Sequence, residues 1–394
     1  MQSSHGGQFR VVVVGGGFAG LTTALALAHK RSSVSVVLVE PQDHFLFTPL
    51  LYELLSGELQ TWQVAPKLEH LLAGHGIAWL QDRVTSINRQ TRCLTTSSGR
   101  NLSFDRLVLT CGGVLQSFGV EGVTDHAVGF RTMADLRRLQ HLVQRLQTTR
   151  PQPLQRLAIV GAGASGVELA CKLADLLVGK SLIELIEQGD KILPGSREFN
   201  RQQALTALQQ RDVSLRCRSR VQGVAADHLT LLVQGETETL PCAGVIWTAG
   251  LAVAPPLLLP SAPVGPQGQL ICQADLRLAG EEAVFAAGDV AAVPDKRRQQ
   301  PPPATAQVAM QQAPVLAHNV LASLDGEPLQ DFHWNDLGEI LSLGRGQATI
   351  TAKGFTMAGP TAARLREVTY LVRMPGAGHR LAAAVGWLGE HLGP

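Results

Sequence analysis

Two segments of the chain share one plan: a buried strand, a glycine-rich turn, a helix, and a second buried strand that ends in glutamate. The first copy contains Gly15-Gly16-Gly17-Phe18-Ala19-Gly20 and ends at Glu40. The second contains Gly161-Ala162-Gly163-Ala164-Ser165-Gly166 and ends at Glu187. The two turns begin 146 residues apart, which is a domain-sized separation. This repeat predicts an α/β fold with two Rossmann-like dinucleotide-binding domains.

Short apolar runs and Ala/Leu-rich stretches locate the elements of each copy. Runs of β-branched residues predict strands buried on both faces, whereas Ala/Leu-rich stretches favour helix. The predicted strands and helices are Val11–Val14, Leu21–Lys30, Val34–Val39, Phe104–Thr110, Thr132–Gln147, Leu157–Val160, Ala164–Leu177 and Leu182–Ile186. We expect two later strands, Val245–Thr248 and Ala283–Ala286, to return the chain to the sheet of the first domain.

Each glycine of the first turn has a distinct expected role. Gly15 makes the tight turn, Gly17 lets backbone amides close on a pyrophosphate, and Gly20 lets the helix pack on the strand. The helix then directs its unpaired N–H groups and its positive dipole end at the phosphates. Glu40, twenty residues after Gly20, suits a pair of ribose hydroxyls.

The same argument applies to the second turn through Gly161, Gly163 and Gly166. Glu187, twenty-one residues after Gly166, also bears on cofactor choice. A carboxylate accepts from a free 2′-hydroxyl and repels a 2′-phosphate, so this residue alone favours NADH over NADPH.

Two further sites, Gly288-Asp289 and Glu168, each allow both a functional and an ordinary structural interpretation. Gly288 and Asp289 end the strand-like stretch Phe285-Ala286-Ala287, where an ordinary turn or a contact to a flavin ribityl chain is expected. The two dinucleotide folds upstream favour the ribityl contact. Glu168 lies two residues past Gly166, where it either offsets the helix dipole or points towards the nicotinamide and flavin. Both interpretations of Glu168 stay open.

Composition excludes several classes of protein and site. Thirty-four basic and thirty-two acidic residues give a net charge of +2, too balanced for a nucleic-acid-binding chain. The six cysteines show no C-x-x-C and no close pair, so neither a disulfide framework nor a metal site is predicted. They are expected as buried thiols in a reducing, cytoplasmic compartment. No apolar run approaches the roughly 18 residues of a spanning helix.

Taken in order, the two glycine turns with their glutamates and Phe285-Ala286-Ala287-Gly288-Asp289 resemble the two-dinucleotide-binding flavoprotein superfamily. Disulfide reductases of that superfamily carry a redox cysteine pair that is absent here. Sulfide:quinone reductases also depend on cysteines poised at the flavin, and the scattered thiols give that class little support. The resemblance covers nearly the whole length of the chain.

Two segments are similar to the type II NAD(P)H:quinone dehydrogenases in particular. The stretch from His44 to Glu53 is similar to the segment that borders the flavin in that family. Ala306-Gln307-Val308-Ala309-Met310-Gln311 matches the family's A-Q-x-A-x-Q, which lies beside the isoalloxazine ring where the quinone head enters. Phe332–Glu339 and Tyr370–Arg373 are similar to the cyanobacterial and plastid branch, whose members reduce demethylphylloquinone in vitamin K1 synthesis.

The sequence departs from that pattern at two places. Thr110-Cys111-Gly112-Gly113 stands where the family has Ala-Thr-Gly, which puts the local flavin contacts in doubt. The branch's reaction is written with NADPH, whereas Glu187 argues for NADH.

The resemblance implies FAD in the first domain, NADH or NADPH in the second, and a quinone as electron acceptor. Gln307 and Gln311 would then close the quinone pocket, with Glu168 beside the reacting rings. The expected division is residues 1–120 and 245–325 for a discontinuous FAD domain, 121–244 for the NAD(P)H domain, and 326–394 for a small C-terminal unit. A reductase of ferredoxin or rubredoxin, or a redox-sensing NADH-binding flavoprotein, stays as the alternative.

The C-terminal stretch 361–392 is expected to lie on a membrane surface, on the cytoplasmic face of a thylakoid or plasma membrane in a cyanobacterium. A long-tailed quinone lives in the bilayer, and an amphipathic helix can attach to its surface. Apolar residues fall at helical spacing beside Arg364, Arg366 and Arg373; they are Leu365, Val368, Leu371, Val372, Leu381, Ala384, Val385, Trp387 and Leu388. The same stripe could instead pack on the FAD domain. A homodimer is compatible with the sequence.

Overall fold

A computed structural model describes residues 9–30, 33–148, 154–253, 259, 262–298 and 301–392. The first strands are β1 (Phe9–Val14), β2 (Val34–Val39), β3 (Ala78–Leu80), β4 (Val84–Asn88), β5 (Cys93–Thr96), β6 (Asn101–Ser103), β7 (Arg106–Leu109), β8 (Val114–Leu115), β9 (Ala127–Val128), β10 (Gln155–Val160), β11 (Ser181–Ile186) and β12 (Ser214–Arg216). The later strands are β13 (Ser219–Val224), β14 (His228–Val233), β15 (Glu236–Pro241), β16 (Gly244–Trp247), β17 (Leu251–Ala252), β18 (Leu270–Ile271), β19 (Val284–Ala286), β20 (Ala291–Ala292), β21 (Glu339–Ser342), β22 (Ala348–Ala352) and β23 (Phe355–Gly359).

Three of the helices match the predicted stretches Leu21–Lys30, Thr132–Gln147 and Ala164–Leu177 to within three residues. The helices are α1 (Phe18–Lys30), α2 (Leu51–Ser56), α3 (Thr61–Val64), α4 (Leu68–Leu72), α5 (Val123–His126), α6 (Met133–Thr148), α7 (Ala164–Leu176), α8 (Glu198–Gln209), α9 (Ala306–Asp325), α10 (Pro360–Arg373) and α11 (Ala377–Leu392). None of the helices in the described ranges combines the length and apolar character needed to cross a membrane.

The chain forms two compact units, each assembled from three segments. The first unit comprises Met1–Phe45, Ala65–Val114 and Leu251–Asp336; the second comprises Leu46–Val64, Leu115–Gly250 and Leu337–Pro394. The four-part division expected from the sequence stays a prediction.

A five-stranded sheet forms the core of the first unit. Its strands lie in the order β19-β7-β1-β2-β3, and all four pairings are parallel. β1 is central, and Val11, Val12 and Val13 are completely buried, as expected for a strand covered on both faces. α1 packs against α9 on this sheet.

The second unit repeats that sheet. Its strands lie in the order β12-β11-β10-β16-β9, again with all pairings parallel. In both sheets the strand before the glycine turn is central, with the glutamate-bearing strand on one side and a third strand on the other. This agreement confirms the α/β class and the two Rossmann-like folds predicted from the sequence.

One predicted strand lies in a different sheet from the one expected. β19 pairs with β7 in the first sheet, which confirms the prediction for Ala283–Ala286. β16 pairs instead with β10 in the second sheet, so the prediction that Val245–Thr248 returns to the first sheet was wrong. Both strands are short apolar runs, so their composition does not distinguish the two sheets; the four residue pairings from Leu157–Gly244 to Val160–Trp247 place β16 in the second sheet.

Each unit also carries smaller antiparallel sheets. The first unit has β4-β5-β6, and the second has β13-β14-β15 and β21-β22-β23. α10 packs on β22 and β23 and is followed by α11, so the last segment belongs to the second unit.

Candidate functional site

The first glycine turn has the tight geometry that its sequence requires. Gly15 has a φ of +102°, and a Cβ there would lie 2.5 Å from the Thr110 carbonyl oxygen. A Cβ at Gly20 would lie 1.9 Å from the Gly15 carbonyl oxygen. At Gly17, by contrast, no described atom lies within 4 Å of such a Cβ. The turn is therefore closed at both ends and open at the middle glycine, where a pyrophosphate would approach.

Glu40 lies against this turn at the end of β2. Its carboxylate accepts hydrogen bonds from the Gly16 N–H at 2.7 Å and from the Gln42 N–H at 2.8 Å. These two bonds fix the orientation of the carboxylate and leave each oxygen with further acceptor capacity. The geometry suits a carboxylate that receives ribose hydroxyls beside the turn.

The second glycine turn reproduces this arrangement. Gly161 has a φ of +99°, and a Cβ at Gly166 would lie 1.8 Å from the Gly161 carbonyl oxygen. Gly163 is again open, with no described atom within 4 Å of a Cβ. Glu187 accepts from the Ala162 N–H and the Gly189 N–H, both at 2.8 Å. Both units therefore present a site that fits a dinucleotide.

A threonine after the third strand of each sheet braces the turn. The Thr110 hydroxyl lies 2.9 Å from the Val14 carbonyl oxygen and 3.1 Å from that of Gly15. The Thr248 hydroxyl lies 2.9 Å from the carbonyl oxygens of Val160 and Gly161. The sequence analysis did not assign these roles, although a shared signal, Thr-x-Gly after an apolar strand, was present in both copies.

Gly288 and Asp289 follow β19 at the carboxyl edge of the first sheet. The Gly288 N–H donates to Gln312 Oε1 at 2.7 Å, and Gln312 is only 2% exposed. Gly288, Thr305, Val308 and Gln312 are among the residues that line one small cleft. The sequence analysis missed Gln312, which stands one residue beyond Gln311 and faces a different side of α9.

Gln307 and Gln311 lie on one face of α9, four residues apart. The helix begins at Ala306, where the Thr305 side chain accepts from the Val308 N–H as an N-cap. Gln307 Oε1 accepts from the Trp334 indole N–H at 3.3 Å. Gln311 donates to the Asn335 carbonyl at 2.9 Å and accepts from the Asn335 N–H at 3.0 Å. The structure thus brings the two predicted glutamines together within the first unit.

Glu168 is buried in the second unit, on the first turn of α7, with 8% of its surface exposed. One carboxylate oxygen accepts from the Ser342 N–H at 2.7 Å. Burial raises the pKa of Glu168 to about 7, while the nearby Arg366 guanidinium opposes that rise. A carboxyl with a pKa near neutrality can exchange a proton at physiological pH.

Ionic groups lie near Glu168 on α2, α7 and α10, and at Glu58 just past the end of α2. Arg366 donates to Glu53 Oε1 at 2.8 Å, and Lys172 Nζ lies 2.5 Å from Glu58 Oε2 and 3.8 Å from Glu53 Oε1. Lys172 and Arg366 are 1% and 3% exposed. We name these four side chains, together with Glu168, the buried ionic cluster; Glu58 lies at its edge, with 33% of its side chain exposed. Burial also raises the pKa of Tyr52 well above its ordinary value.

Arg366 corrects an expectation from the sequence. The spacing placed it with Arg364 and Arg373 beside an apolar stripe of α10, whereas its side chain faces the interior and pairs with Glu53. Trp387 is likewise buried and does not join an exposed stripe. The side chain of Leu388 lies outside the described residues.

The described ranges contain no group of three or more His, Cys, Asp or Glu side chains placed to hold a metal ion. All six cysteines are free thiols, but only Cys171, Cys242 and Cys272 are buried; the expectation of burial was wrong for Cys111, which is exposed, and for Cys93 and Cys217, which are partly exposed. The predicted site residues are thus divided between two units, with Gly15, Gly17, Gly20, Glu40, Gly288, Asp289, Gln307 and Gln311 in the first, and Gly161, Gly163, Gly166, Glu168 and Glu187 in the second.

Known proteins match this chain over nearly its whole length. The family described as pyridine nucleotide-disulphide oxidoreductase matches residues 9–313. Demethylphylloquinone reductase NdbB of Synechocystis sp. is 38% identical, over 98% of this chain and 96% of that protein. Alternative NAD(P)H-ubiquinone oxidoreductase C1 of Arabidopsis thaliana is 32% identical, over 97% of this chain and 80% of that protein. The structure of NDH2 from Plasmodium falciparum in complex with NADH superposes with a TM-score of 0.87 over 98% of both chains, at 17% identity, which shows the shared fold.

Proposed function

This chain belongs to the pyridine nucleotide-disulphide oxidoreductase family and, within it, to the type II NAD(P)H:quinone dehydrogenases, and on that premise we propose that it transfers two electrons from NADH or NADPH through FAD to a quinone. The observation that carries the proposal is the full-length identity of 38% to a demethylphylloquinone reductase. We further propose a naphthoquinone of the demethylphylloquinone type as the substrate.

The first unit supplies the residues for FAD. The open backbone at Gly17 would receive the pyrophosphate, Glu40 the ribose hydroxyls, and Gly288 with Asp289 the ribityl chain. A bound flavin supplies the chemistry, since it can accept a hydride from a nicotinamide and pass two electrons to a quinone.

The second unit supplies the residues for the nicotinamide cofactor. Gly163 is the open position of the turn, and Glu187 would hold the ribose of the adenosine half. Glu168 is proposed to hold or release a proton beside the reacting rings, since burial raises its pKa to about 7. Gln307 and Gln311 would close the quinone pocket in the first unit.

The test separates the two halves of the reaction. The purified protein is examined for flavin by mass spectrometry, and its FAD is reduced with NADH or NADPH in a stopped-flow instrument. The reduced enzyme is then mixed with a naphthoquinone, a benzoquinone, or ferredoxin. We expect rapid reoxidation by the naphthoquinone, and we expect Gln307→Leu to slow that step while flavin reduction stays unchanged.

Reoxidation by ferredoxin alone would contradict the proposal and favour a ferredoxin-type reductase. Slow flavin reduction with no turnover on any acceptor would favour a redox-sensing protein. The matched control is Gln202→Leu, at an exposed glutamine on α8 in the second unit whose side chain donates to Glu198.

We also propose that the enzyme acts while attached to a membrane surface, on the cytoplasmic face. α10 and α11 expose an apolar stripe of Leu365, Val368, Val372, Leu381 and Val385, with exposed fractions from 42% to 69%. Its opposite face is occupied, because Arg366 and Tyr370 are buried. An exposed apolar face on a helix is the feature by which helices lie in a lipid interface.

Point substitutions test the attachment better than removal of the segment. Truncation after Gly359 would delete Arg366 and leave Glu53 buried without its guanidinium partner. The variant Leu365→Gln/Val372→Gln should instead keep FAD and activity on short-chain quinones but stop pelleting with anionic liposomes. Val178→Gln, at an apolar residue of the same unit that is 76% exposed, is the control. If the double variant still pellets and only its dimer dissociates in size-exclusion chromatography, the stripe is a homodimer surface.

A further inference from the structure

A tight turn at residues 117–120 of the second unit holds a phenylalanine in a conformation that its side chain disfavours. The Val120 N–H donates to the Ser117 carbonyl at 3.0 Å, and both central residues have positive φ, +54° at Phe118 and +72° at Gly119. This is the pattern of a type I′ turn, which favours asparagine followed by glycine. A bulky side chain at positive φ is strained. The geometry of the turn therefore does not account for a phenylalanine at residue 118.

Burial in a core does not account for Phe118 either. The residue is 59% exposed, so more than half of its apolar surface stays in contact with water. The edge of its ring lies against Gly250, where a Cβ would be 2.3 Å from Phe118 Cζ and 2.5 Å from Cε2. Gly250 itself has a φ of +69°. The ring thus occupies the space of an absent side chain at Gly250 and leaves much of its surface free.

Two loops of the second unit are joined at this place by a buried indole. Trp247, the last residue of β16, is 3% exposed. Its indole N–H donates to the carbonyl oxygens of Gln116 and Ala249, both at 2.9 Å. The segment that carries Phe118 is therefore fixed to the loop that follows β16, which contains Gly250.

The loop after β16 lies where the second half of a dinucleotide is expected. In the second sheet β11 and β16 flank β10 on opposite sides, and a dinucleotide binds across the carboxyl edge where the strand order reverses in this way. Glu187 follows β11 and marks the adenosine side, so the nicotinamide half extends towards the end of β16. There the Ala249 Cα lies 2.9 Å from the place of a Cβ on Gly161, in the glycine turn. Gly250, with the ring of Phe118 against it, is the next residue.

We propose that Phe118 binds the nicotinamide half of the cofactor, with the free surface of its ring against the nicotinamide riboside. The proposal rests on the proposed function, which assigns the nicotinamide cofactor to this unit. An aromatic ring offers a large apolar surface to a planar heterocycle and to the C–H groups of a ribose. A binding role also explains the strained backbone, since residues in disfavoured conformations cluster at ligand sites.

The decisive variant is Phe118→Asn, which removes the ring and gives the turn the residue that it favours. We expect a higher melting temperature than that of the wild type, because the strain at positive φ is relieved. The Kd for NAD⁺ should nevertheless rise by about three- to tenfold, through loss of one aromatic contact. The Kd for ADP, which has the adenosine and the pyrophosphate but no nicotinamide, should stay within about twofold. A role in the fold alone would not combine greater stability with weaker binding of NAD⁺.

Both ligands are titrated into the FAD-loaded, oxidised protein by isothermal titration calorimetry. NAD⁺ carries no hydride to give, so binding is measured without turnover. Phe355→Asn is the matched control, because Phe355 is also an exposed phenylalanine of the second unit, 49% exposed at the start of β23. It should leave both Kd values unchanged.

Gly250→Ala provides an independent variant that keeps the phenylalanine and displaces it. Its Cβ would lie 2.3 Å from Phe118 Cζ, so the ring must move, and NAD⁺ should again bind more weakly while ADP does not. Wild-type affinity for NAD⁺ in Phe118→Asn would overturn the proposal. So would an equal loss of affinity for NAD⁺ and ADP, since Phe118 would then support the whole site. A wild-type protein that binds neither ligand would instead contradict the proposed function itself.

Discussion

The glycine turn of the first unit and that of the second share the same backbone hydrogen bonds, whereas the helices that leave these turns bury different side chains. Glu40 and Glu187 each accept from the residue after the first glycine, at 2.7 and 2.8 Å. α1 then buries alanine, leucine and one threonine. α7 buries Glu168 and Lys172 among its apolar residues. The turn is therefore constrained by the ligand that it is built to hold, while the helix behind it is free to carry proton chemistry in one copy only.

The largest loss of cofactor binding should come from adding a methyl group at the third glycine of either turn. A Cβ at Gly20 or Gly166 would lie 1.9 or 1.8 Å from a backbone oxygen, so the helix must move away from the strand. Gly20→Ala should purify without flavin. Gly166→Ala should keep its flavin but lose reduction by NADH. The ratio of flavin to protein absorbance and an NADH titration measure the two losses.

Gly195→Ala serves as the control, because no described atom lies within 4 Å of a Cβ there. If Gly166→Ala lost flavin and Gly20→Ala did not, the assignment of the two cofactors to the two units would be reversed.

The next largest effect is on the free energy of unfolding. It comes from Glu168 on α7 and depends on pH. The folded-state pKa of Glu168 is about 7, above its ordinary value of 4.5, so the folded protein holds this proton more tightly than the unfolded chain does. Its contribution to stability is therefore lost as pH rises from about 4.5 to about 7, by about 3 kcal/mol in total. Glu168→Gln should unfold at higher urea than wild type at about pH 8, with a difference that shrinks towards about pH 5.

Thr22 stands at the matching position of α1, two residues past Gly20. Thr22→Val should therefore shift stability equally at every pH. A pH-independent shift in Glu168→Gln as well would show that its carboxyl does not titrate between those limits.

A smaller effect should come from replacing the glutamate beside each turn, and we expect it to differ between Glu40 and Glu187. Glu187→Gln removes a negative charge from the place where a 2′-phosphate would lie, so kcat/KM for NADPH relative to NADH should improve by about 1–2 kcal/mol. Glu40→Gln should weaken flavin retention and leave the nicotinamide preference unchanged. Steady-state kinetics with both cofactors provide the comparison. A wild-type enzyme with a strong preference for NADPH would contradict this role of Glu187 and point to Lys191 or Arg197 as a phosphate ligand.

The smallest effect should come from exchanging the second residue of each turn. A Cβ at Gly16 would lie 2.9 Å from Glu40 Cγ, so Gly16→Ala must displace that side chain and should lower flavin affinity slightly. Ala162→Gly should instead lower the free energy of unfolding by about 0.4–1 kcal/mol, through the greater freedom of the unfolded chain. Thermal unfolding and flavin titration of both variants measure these changes. If the two substitutions changed thermal stability and flavin affinity by the same amounts, the turns would be interchangeable at this residue.

The sequence was most informative where a local pattern fixes the backbone. The glycine spacing and the apolar runs predicted both sheets' central strands and their helices, because such signals depend on residues close together in the chain. It was uninformative where distant side chains meet. Arg366 and Glu53 are 313 residues apart, and no periodicity indicates that pairing. The bond from Trp334 to Gln307 and the sheet that takes β16 likewise depend on tertiary packing.

The net charge of the buried ionic cluster depends on whether Glu168 is protonated. Lys172 and Arg366 contribute two positive charges, and Glu53 and Glu58 contribute two negative ones. With Glu168 protonated, the sum is zero; with Glu168 ionised, the cluster carries one net negative charge. The cluster thus holds one proton, on Glu168, that exchanges near neutral pH a few residues past a nucleotide turn. Neutralising Glu53 would remove that surplus and allow Glu168 to ionise without one, so the proton would be released at lower pH.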